Sequence, residues 1–284
     1  MLDVNIYKSE DQSAWCPGCY NFAILKAVRQ ALASLDIAPH QVMFSSGIGQ
    51  APKLPHYLKC NLFNGLHGRT LPVATGIKLA NHGLQVIAEG GDGDGYAEGG
   101  NHFVHAMRRN PGITYLVHDN QIYGLTKGQT SPTSEKGLVT GTTPFGNYNA
   151  PEHPLALAIA AECSFAARGF AGDSDHLAEL IAQAIKHPGF ALVDILQPCV
   201  TFNKLNTFQW YKDRVYQLEP EYDPADRQKA FARALEWGER IPLGIIYKKD
   251  RLPLENLLPQ LKPGPLIKQS IGMEKRKELA GQFR

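Results

Sequence analysis

No apolar run in this chain approaches the about 18–20 residues that a membrane-spanning helix requires, so bilayer insertion is not expected. The opening stretch, MLDVNIYKSEDQSAWCPGC, carries acids early and no apolar core before a small-residue cleavage site. It does not read as a secretory signal, and the cytoplasm is the expected compartment. An excess of one charge is also missing: 29 Lys and Arg stand against 27 Asp and Glu, a formal net charge of +2, with the basic residues scattered among acids. That leaves no electrostatic footprint for nucleic acid. No internal repeat is visible. Cysteine is scarce, five residues in 284, and without an export signal persistent disulfides are rare, which turns those five toward metal or redox roles. What is present, 43% hydrophobic and 20% charged residues, is the composition of an ordinary globular protein with one core.

The pattern along the chain alternates strand, glycine turn and helix. The stretch 21–37 places Phe22, Leu25, Val28, Leu32 and Leu35 at helical spacing. QVMFSSGIGQ reads as a strand breaking into a glycine turn, PVATGIKLANHG as a small-residue helix, and LQVIAEGGDGD as a buried strand followed by the helix GGNHFVHAMRRNP. ITYLVHDNQIYGLTKGQTSPT (113–133) is a further strand ending in a polar loop, and 134–153 is turn-rich, an ordered surface loop or a lid. PLALAIAAECSFAARGFAG predicts a helix running into a strand, with Cys163 in the helix as a small buried group; HLAELIAQAIKHPG is a helix and FALVDILQPCV the last core strand. The alternation argues for a parallel sheet with helices on both faces and ligands at the carboxyl ends of its strands. Residues 1–200 are expected to form this α/β domain. Residues 201–284, with one amphipathic helix and one strand, are expected to form an extension that packs on the core or on a partner.

The most informative stretch is QVIAEGGDGDGYAEGGNHFVHAMRRN. An apolar strand ends on two glycines, two aspartates sit inside a glycine ladder, and a helix begins. Glycine admits close approach of a ligand, and carboxylates in such a turn suit a hard cation. Asn120 follows Asp92 by 28 residues, the length of one helix plus one strand, so in neighbouring parallel strands both emerge at the same sheet edge and can share a cation. The Ile122 carbonyl is placed to be a third ligand, and GLTKG (124–128) offers amides, a hydroxyl and a lysine to phosphates. A lone Gly-Asp-Gly is as readily a tight turn; with Asn120 at this interval it resembles the signature of thiamine diphosphate-binding proteins.

With these motifs in place the chain resembles the thiamine-diphosphate-binding beta subunit of the 2-oxoacid:ferredoxin oxidoreductases. The resemblance covers about residues 15 to 250 and rests on WCPGC, SSGIGQAPKLPHYLKCN, LHGRTLPVATGIKLA, GGDGDGYAEGGNHFVHAMRRN, HDNQIYGLTKGQTSPTS, LQPCVTFN and WGERIPLGIIY. It implies the thiamine diphosphate-binding fold, with Asp92, Asn120 and the Ile122 carbonyl on magnesium and Gly91, Gly93, Asp94, Gly124, Leu125 and Thr126 around the diphosphate. It also implies Ile48, Gly49, Gln50 and His67 near the cofactor's rings. The implied reaction is coenzyme A-dependent oxidative decarboxylation of a 2-oxoacid with ferredoxin as acceptor, or its reversal. The glutamate that activates thiamine is expected from an alpha, or fused alpha/gamma, subunit. His67 and Lys127 are the candidate catalytic groups; Lys53 and Arg69 are weaker candidates for a substrate carboxylate. His102, His105, Trp210 and Trp237 read as packing or surface residues.

Cys16 and Cys19 form C-x-x-C, and Cys60 and Cys199 complete a set of four. Spacing alone suits either a 4Fe–4S cluster or a structural zinc ion; the resemblance favours the cluster. Two departures from the family pattern stand out. Relatives commonly end the Gly-Ile-Gly turn in cysteine, where this chain has Gln50, so Cys60 is expected as the substitute ligand. Tyr20 stands where glycine usually follows the second cysteine, and either crowds or shields a cluster. Iron separates the oxidoreductase from its alternatives, a non-oxidative thiamine-dependent decarboxylase and a zinc-stabilised subunit without catalysis.

Overall fold

The computed structural model describes residues 2–283. Its centre is an eight-stranded sheet, counted over the described residues, in the order β2-β1-β3-β4-β8-β7-β10-β9. The strands are β1 (Val42–Ser46), β2 (Asn61–Asn64), β3 (Gln85–Gly91) and β4 (Ile113–Asp119), a small hairpin of β5 (Ile122–Tyr123) and β6 (Gln129–Thr130), then β7 (Phe165–Phe170), β8 (Ala191–Leu196), β9 (Val215–Gln217) and β10 (Ile241–Lys248). Every residue of β4, β7 and β8 is buried, as expected of strands covered on both faces.

Side-chain alternation assigns each strand residue to one of two cores. Ile87, Leu116, Ala167 and Val193 face α1 (Asn21–Ser34) and the long helix Ser174–Lys186. Val86, Ala88, Val117, Ala166 and Leu192 face the other way, onto α2 (Thr70–Ala80), α3 (Gly100–Arg109) and α4 (Pro154–Ala160). Burying each such aliphatic side chain contributes about 1.5–3 kcal/mol, so a one-residue slip of β4 would exchange its faces and forfeit several of these at once.

Three local features differ from the sequence reading. The helix expected through Cys163 stops at Ala160, because Glu162 takes a left-handed φ of 57°; Cys163 lies in the turn before β7, buried, with its thiol donating to the Phe165 carbonyl at 2.9 Å. A π-type turn, Gly93–Glu98, precedes α3. The sheet is not wholly parallel: β10 runs antiparallel to β7 and carries β9 beside it. Residues beyond 200 therefore extend the main sheet, and Tyr211, Ile241 and Leu243 pack with Phe170 and Leu196 in a third cluster. No helix among the described residues is long and apolar enough to cross a membrane.

Candidate active site

The functional segments all leave the carboxyl edge of the sheet. The GIGQ turn follows β1, Asp92 follows β3, Asn120 follows β4, and Gln197 and Cys199 follow β8. Parallel neighbours β1, β3 and β4 bring these exits together. They enclose a cavity of about 510 Å³ lined by Ile48, Gly49, Gln50, His67, Gly91, Asp92, Gly93, Asp94, Asn120, Ile122, Gly124, Leu125 and Thr126, with Ala51 and Tyr123.

Asp92 is buried, and its Oδ2 accepts hydrogen bonds from Ser131 Oγ at 2.5 Å and Thr133 Oγ1 at 2.8 Å. Thr133 Oγ1 also lies 2.6 Å from Asp119 Oδ1. A hydroxyl carries one hydrogen, so the second contact needs a proton on a carboxyl. Burial raises both acids accordingly, Asp92 to about 6 against the pull of Ser131 and Thr133, and Asp119 well above its usual range. A cation beside Asp92 would relieve the same strain. Asn120 turns Oδ1 onto the Ile122 amide at 3.0 Å, holding that residue's backbone at the cavity wall. One carboxylate, one amide oxygen and one carbonyl are the hard donors magnesium takes alongside phosphate oxygens, and the donor set fits the ion.

Asp94 lines the same cavity, and its carboxyl group is engaged by the chain itself. Its Oδ1 accepts from the Ile48 amide at 3.0 Å, the Gly68 amide at 2.9 Å and His67 Nδ1 at 2.6 Å, and Oδ2 accepts from Thr70 Oγ1 at 3.2 Å. One buried carboxylate thus ties the GIGQ turn, the His67 loop and the start of α2 together. Gly47 is required beside it, since a Cβ there would sit 2.0 Å from Asp94 Oδ2. The bond to Nδ1 fixes the ring of His67 and leaves Nε2 facing Glu98, 3.4 Å away.

A second cavity, of about 440 Å³, adjoins the first and shares Gln50, Asn120 and Gly124 with it. Trp15, Cys16, Cys19, Gln197 and Cys199 are among its lining residues. Burial raises the Cys19 thiol, with Cys199 and Cys16 adding to the effect. Behind them Gln197 Nε2 donates to Asn21 Oδ1 at 2.8 Å and to Cys19 Sγ at 3.8 Å.

Cys60 is not among the lining residues. It immediately precedes β2, whose first residue pairs with Met43, so it lies beside the amino end of β1. Four strand steps, roughly 13 Å, separate that level from the carboxyl edge, and Ala51–Tyr57 carries the chain back between them. Burial, with Glu89 adding, pushes its thiol up to about 12. Of the expected four cysteines, Cys16, Cys19 and Cys199 line this cavity and Cys60 does not. Among the described residues no three His, Cys, Asp or Glu side chains converge closely enough to hold a single ion.

Comparison with known proteins agrees with this geometry. Residues 36–195 match the family described as "Thiamine pyrophosphate enzyme, C-terminal TPP binding domain", and residues 199–263 match the family of the C-terminal part of the pyruvate ferredoxin oxidoreductase beta chain. The beta subunit of the 2-oxoacid:ferredoxin oxidoreductase of a Sulfolobus species is 46% identical over 84% of this chain and 83% of its own length. The chain belongs to that beta-subunit family. The Saccharolobus solfataricus member is 47% identical over 83% of this chain and 82% of its own. A solved 2-oxoglutarate:ferredoxin oxidoreductase from Magnetococcus marinus, with 2-oxoglutarate, coenzyme A and succinyl-CoA bound, is 38% identical and superposes with a TM-score of 0.92 over 98% of this chain and 95% of that one.

Other residues of this beta subunit stand as follows. Lys127 is exposed, at a left-handed φ of 75°, and does not line the first cavity. Arg69 is exposed and Lys53 half-buried. Tyr20 stacks on Phe208, rings 5.6 Å apart, and is not a lining residue of the cysteine cavity. Trp210 and Trp237 pack on each other, and Trp237 Nε1 donates to Glu135 at 2.5 Å. The sequence reading missed Ser131 and Thr133 as supports of Asp92, although both lie in the block HDNQIYGLTKGQTSPTS. It also missed Tyr123, whose hydroxyl donates to Glu98 at 3.1 Å across the mouth of the turn.

Proposed function

We propose that the larger cavity holds thiamine diphosphate, with magnesium on Asp92, Asn120 and the Ile122 carbonyl, and that the cysteine cavity holds an iron–sulfur cluster. With an alpha or fused alpha/gamma subunit, the assembly converts a 2-oxoacid and coenzyme A to acyl-CoA and carbon dioxide, passing two electrons singly to ferredoxin, or runs in reverse. Bound thiamine diphosphate supplies the carbon nucleophile and the electron sink. The chain's own residues do the rest. Gly93, Gly124, Leu125 and Thr126 line the wall that would meet the diphosphate, Asp94 holds the Ile48–Gln50 turn and His67 in place, and Gln197 hydrogen-bonds the Cys19 sulfur. The 2-oxoglutarate and coenzyme A bound by the Magnetococcus relative support a 2-oxoacid substrate and coenzyme A as co-substrate here. The reading places the enzyme in the cytoplasm, in keeping with five free cysteines.

The observation that carries this is the shared wall: Gln50, Asn120 and Gly124 border both cavities, so an electron acceptor sits directly beside the carbon chemistry. Calorimetric titration of thiamine diphosphate with magnesium into wild type and Asp92→Ala tests the site. Binding is expected in the first and lost in the second; unchanged affinity in Asp92→Ala would remove the assignment.

A further inference from the structure

A cluster of four irons normally takes four protein ligands, and the cysteine cavity offers three thiols. The residue at the remaining position of the family turn is Gln50, which lines that cavity. Its backbone is fixed there, since Trp15 Nε1 donates to the Gln50 carbonyl at 2.8 Å. Its Oε1 is buried and has no hydrogen-bond partner. A buried acceptor without a donor costs about 1–3 kcal/mol, so such an atom on a residue that lines the cysteine cavity points to a group that satisfies it when bound.

We propose that Gln50, and not Cys60, meets the fourth iron, so that the cluster is held by the thiolates of Cys16, Cys19 and Cys199 and by one amide oxygen. This rests on the iron–sulfur reading above and extends it to the ligand set. The chemistry of the fourth iron follows from the donor. An amide oxygen is a neutral, harder ligand than thiolate and suits soft-ligand iron less well, so this iron is the one that leaves first. Loss of one electron to ferricyanide, followed by expulsion of one ferrous ion, would leave a 3Fe–4S cluster on the three cysteines. Gln50 also borders the thiamine cavity, so the residue proposed to meet the fourth iron is one that both cavities share.

The test uses the whole assembly purified anaerobically, with iron, sulfide and thiamine diphosphate content measured for wild type, Cys60→Ser, Cys60→Ala, Gln50→Leu and Gln50→Cys. Each is then examined by electron paramagnetic resonance before and after ferricyanide. Both Cys60 variants are expected to keep wild-type iron and sulfide and to convert to the 3Fe–4S form as wild type does. Gln50→Cys is expected to resist conversion, and Gln50→Leu to convert with less oxidant. Iron lost from both Cys60 variants, with cofactor still bound and Gln50→Leu unchanged, would overturn the ligand assignment and leave the oxidoreductase reading intact. A Gln50→Leu variant altered only in thiamine diphosphate affinity would do the same. Wild-type assembly free of iron would overturn both.

Discussion

Replacing Asp94 by alanine should unhinge the thiamine side of the proposed site without touching Asp92 or Asn120, the residues proposed for magnesium. The carboxylate accepts two backbone amides, an imidazole and a hydroxyl at 2% exposure. Alanine leaves the Gly68 amide buried and without an acceptor, at about 1–3 kcal/mol, and removes bonds to a charged acceptor worth about 1.5–3 kcal/mol each. The imidazole and the Ile48 amide recover part of this in water, since both residues are only half-buried. A net loss of about 3–5 kcal/mol follows, which for a chain of this size lowers the melting temperature by roughly 10 °C. Affinity for thiamine diphosphate falls with it, because the Ile48–Gln50 turn and His67 lose their common anchor. Asp94→Asn keeps the volume and one acceptor oxygen and should cost about half as much. Thermal unfolding and calorimetric cofactor titration on both variants measure the two effects. A direct diphosphate contact predicts the opposite sign for binding, since removing a carboxylate beside phosphates raises affinity. Tighter binding in Asp94→Ala, or a melting shift within about 1 °C, would refute the bracing role.

Gly93→Ala should weaken cofactor binding about tenfold or more, because its Cβ would lie 2.3 Å from the Tyr123 ring and overpacking costs about 1–3 kcal/mol; adding Tyr123→Leu should restore part of it in the same titration. His187 makes stability sensitive to acid. Burial, with Lys248 adding, lowers its pKa to about 4 from 6.5, and neither ring nitrogen has a partner. The folded-state value is below the unfolded one, so the unfolded chain takes up the proton first. The contribution is intact above pH 6.5 and is lost as pH falls toward 4, reaching about 3 kcal/mol. Denaturant titrations of His187→Phe should show a flatter profile across that window than wild type, and identical slopes would contradict the assignment. Arg168→Met should cost about 3–5 kcal/mol, since it leaves the buried Asp194 carboxylate with only Tyr96, 2.7 Å away, facing it; Asp194→Asn in the same chain should recover part of the loss, measured as a double-mutant cycle in urea.

The alternation of apolar strands with glycine turns was enough to place Asp92 and Asn120 at one sheet edge, because strand length and parallel pairing leave few other arrangements. The blocks around them carried the family, and the thiamine-side residues other than Lys127 come together around one cavity. Local spacing failed where backbone conformation overrode it. Glu162 at a left-handed φ ends a helix whose alanine-rich pattern continues past it, and Ala51–Tyr57 folds the chain away from the edge, so Cys60 does not line the cavity that the other cysteines border. The bracing role of Asp94 needed three dimensions, since its partners at 48, 67, 68 and 70 lie in segments that only the fold brings to it. The antiparallel β10 was hidden for a similar reason: an apolar strand reads the same in either direction.

The most direct test is the electron balance of the assembled enzyme. Anaerobic incubation of this chain with its alpha partner, thiamine diphosphate, magnesium, coenzyme A, a 2-oxoacid and oxidised ferredoxin should reduce about two ferredoxins per carbon dioxide released, with acyl-CoA as product and no turnover by this chain alone. Carbon dioxide released with aldehyde formed and ferredoxin left oxidised would contradict the account.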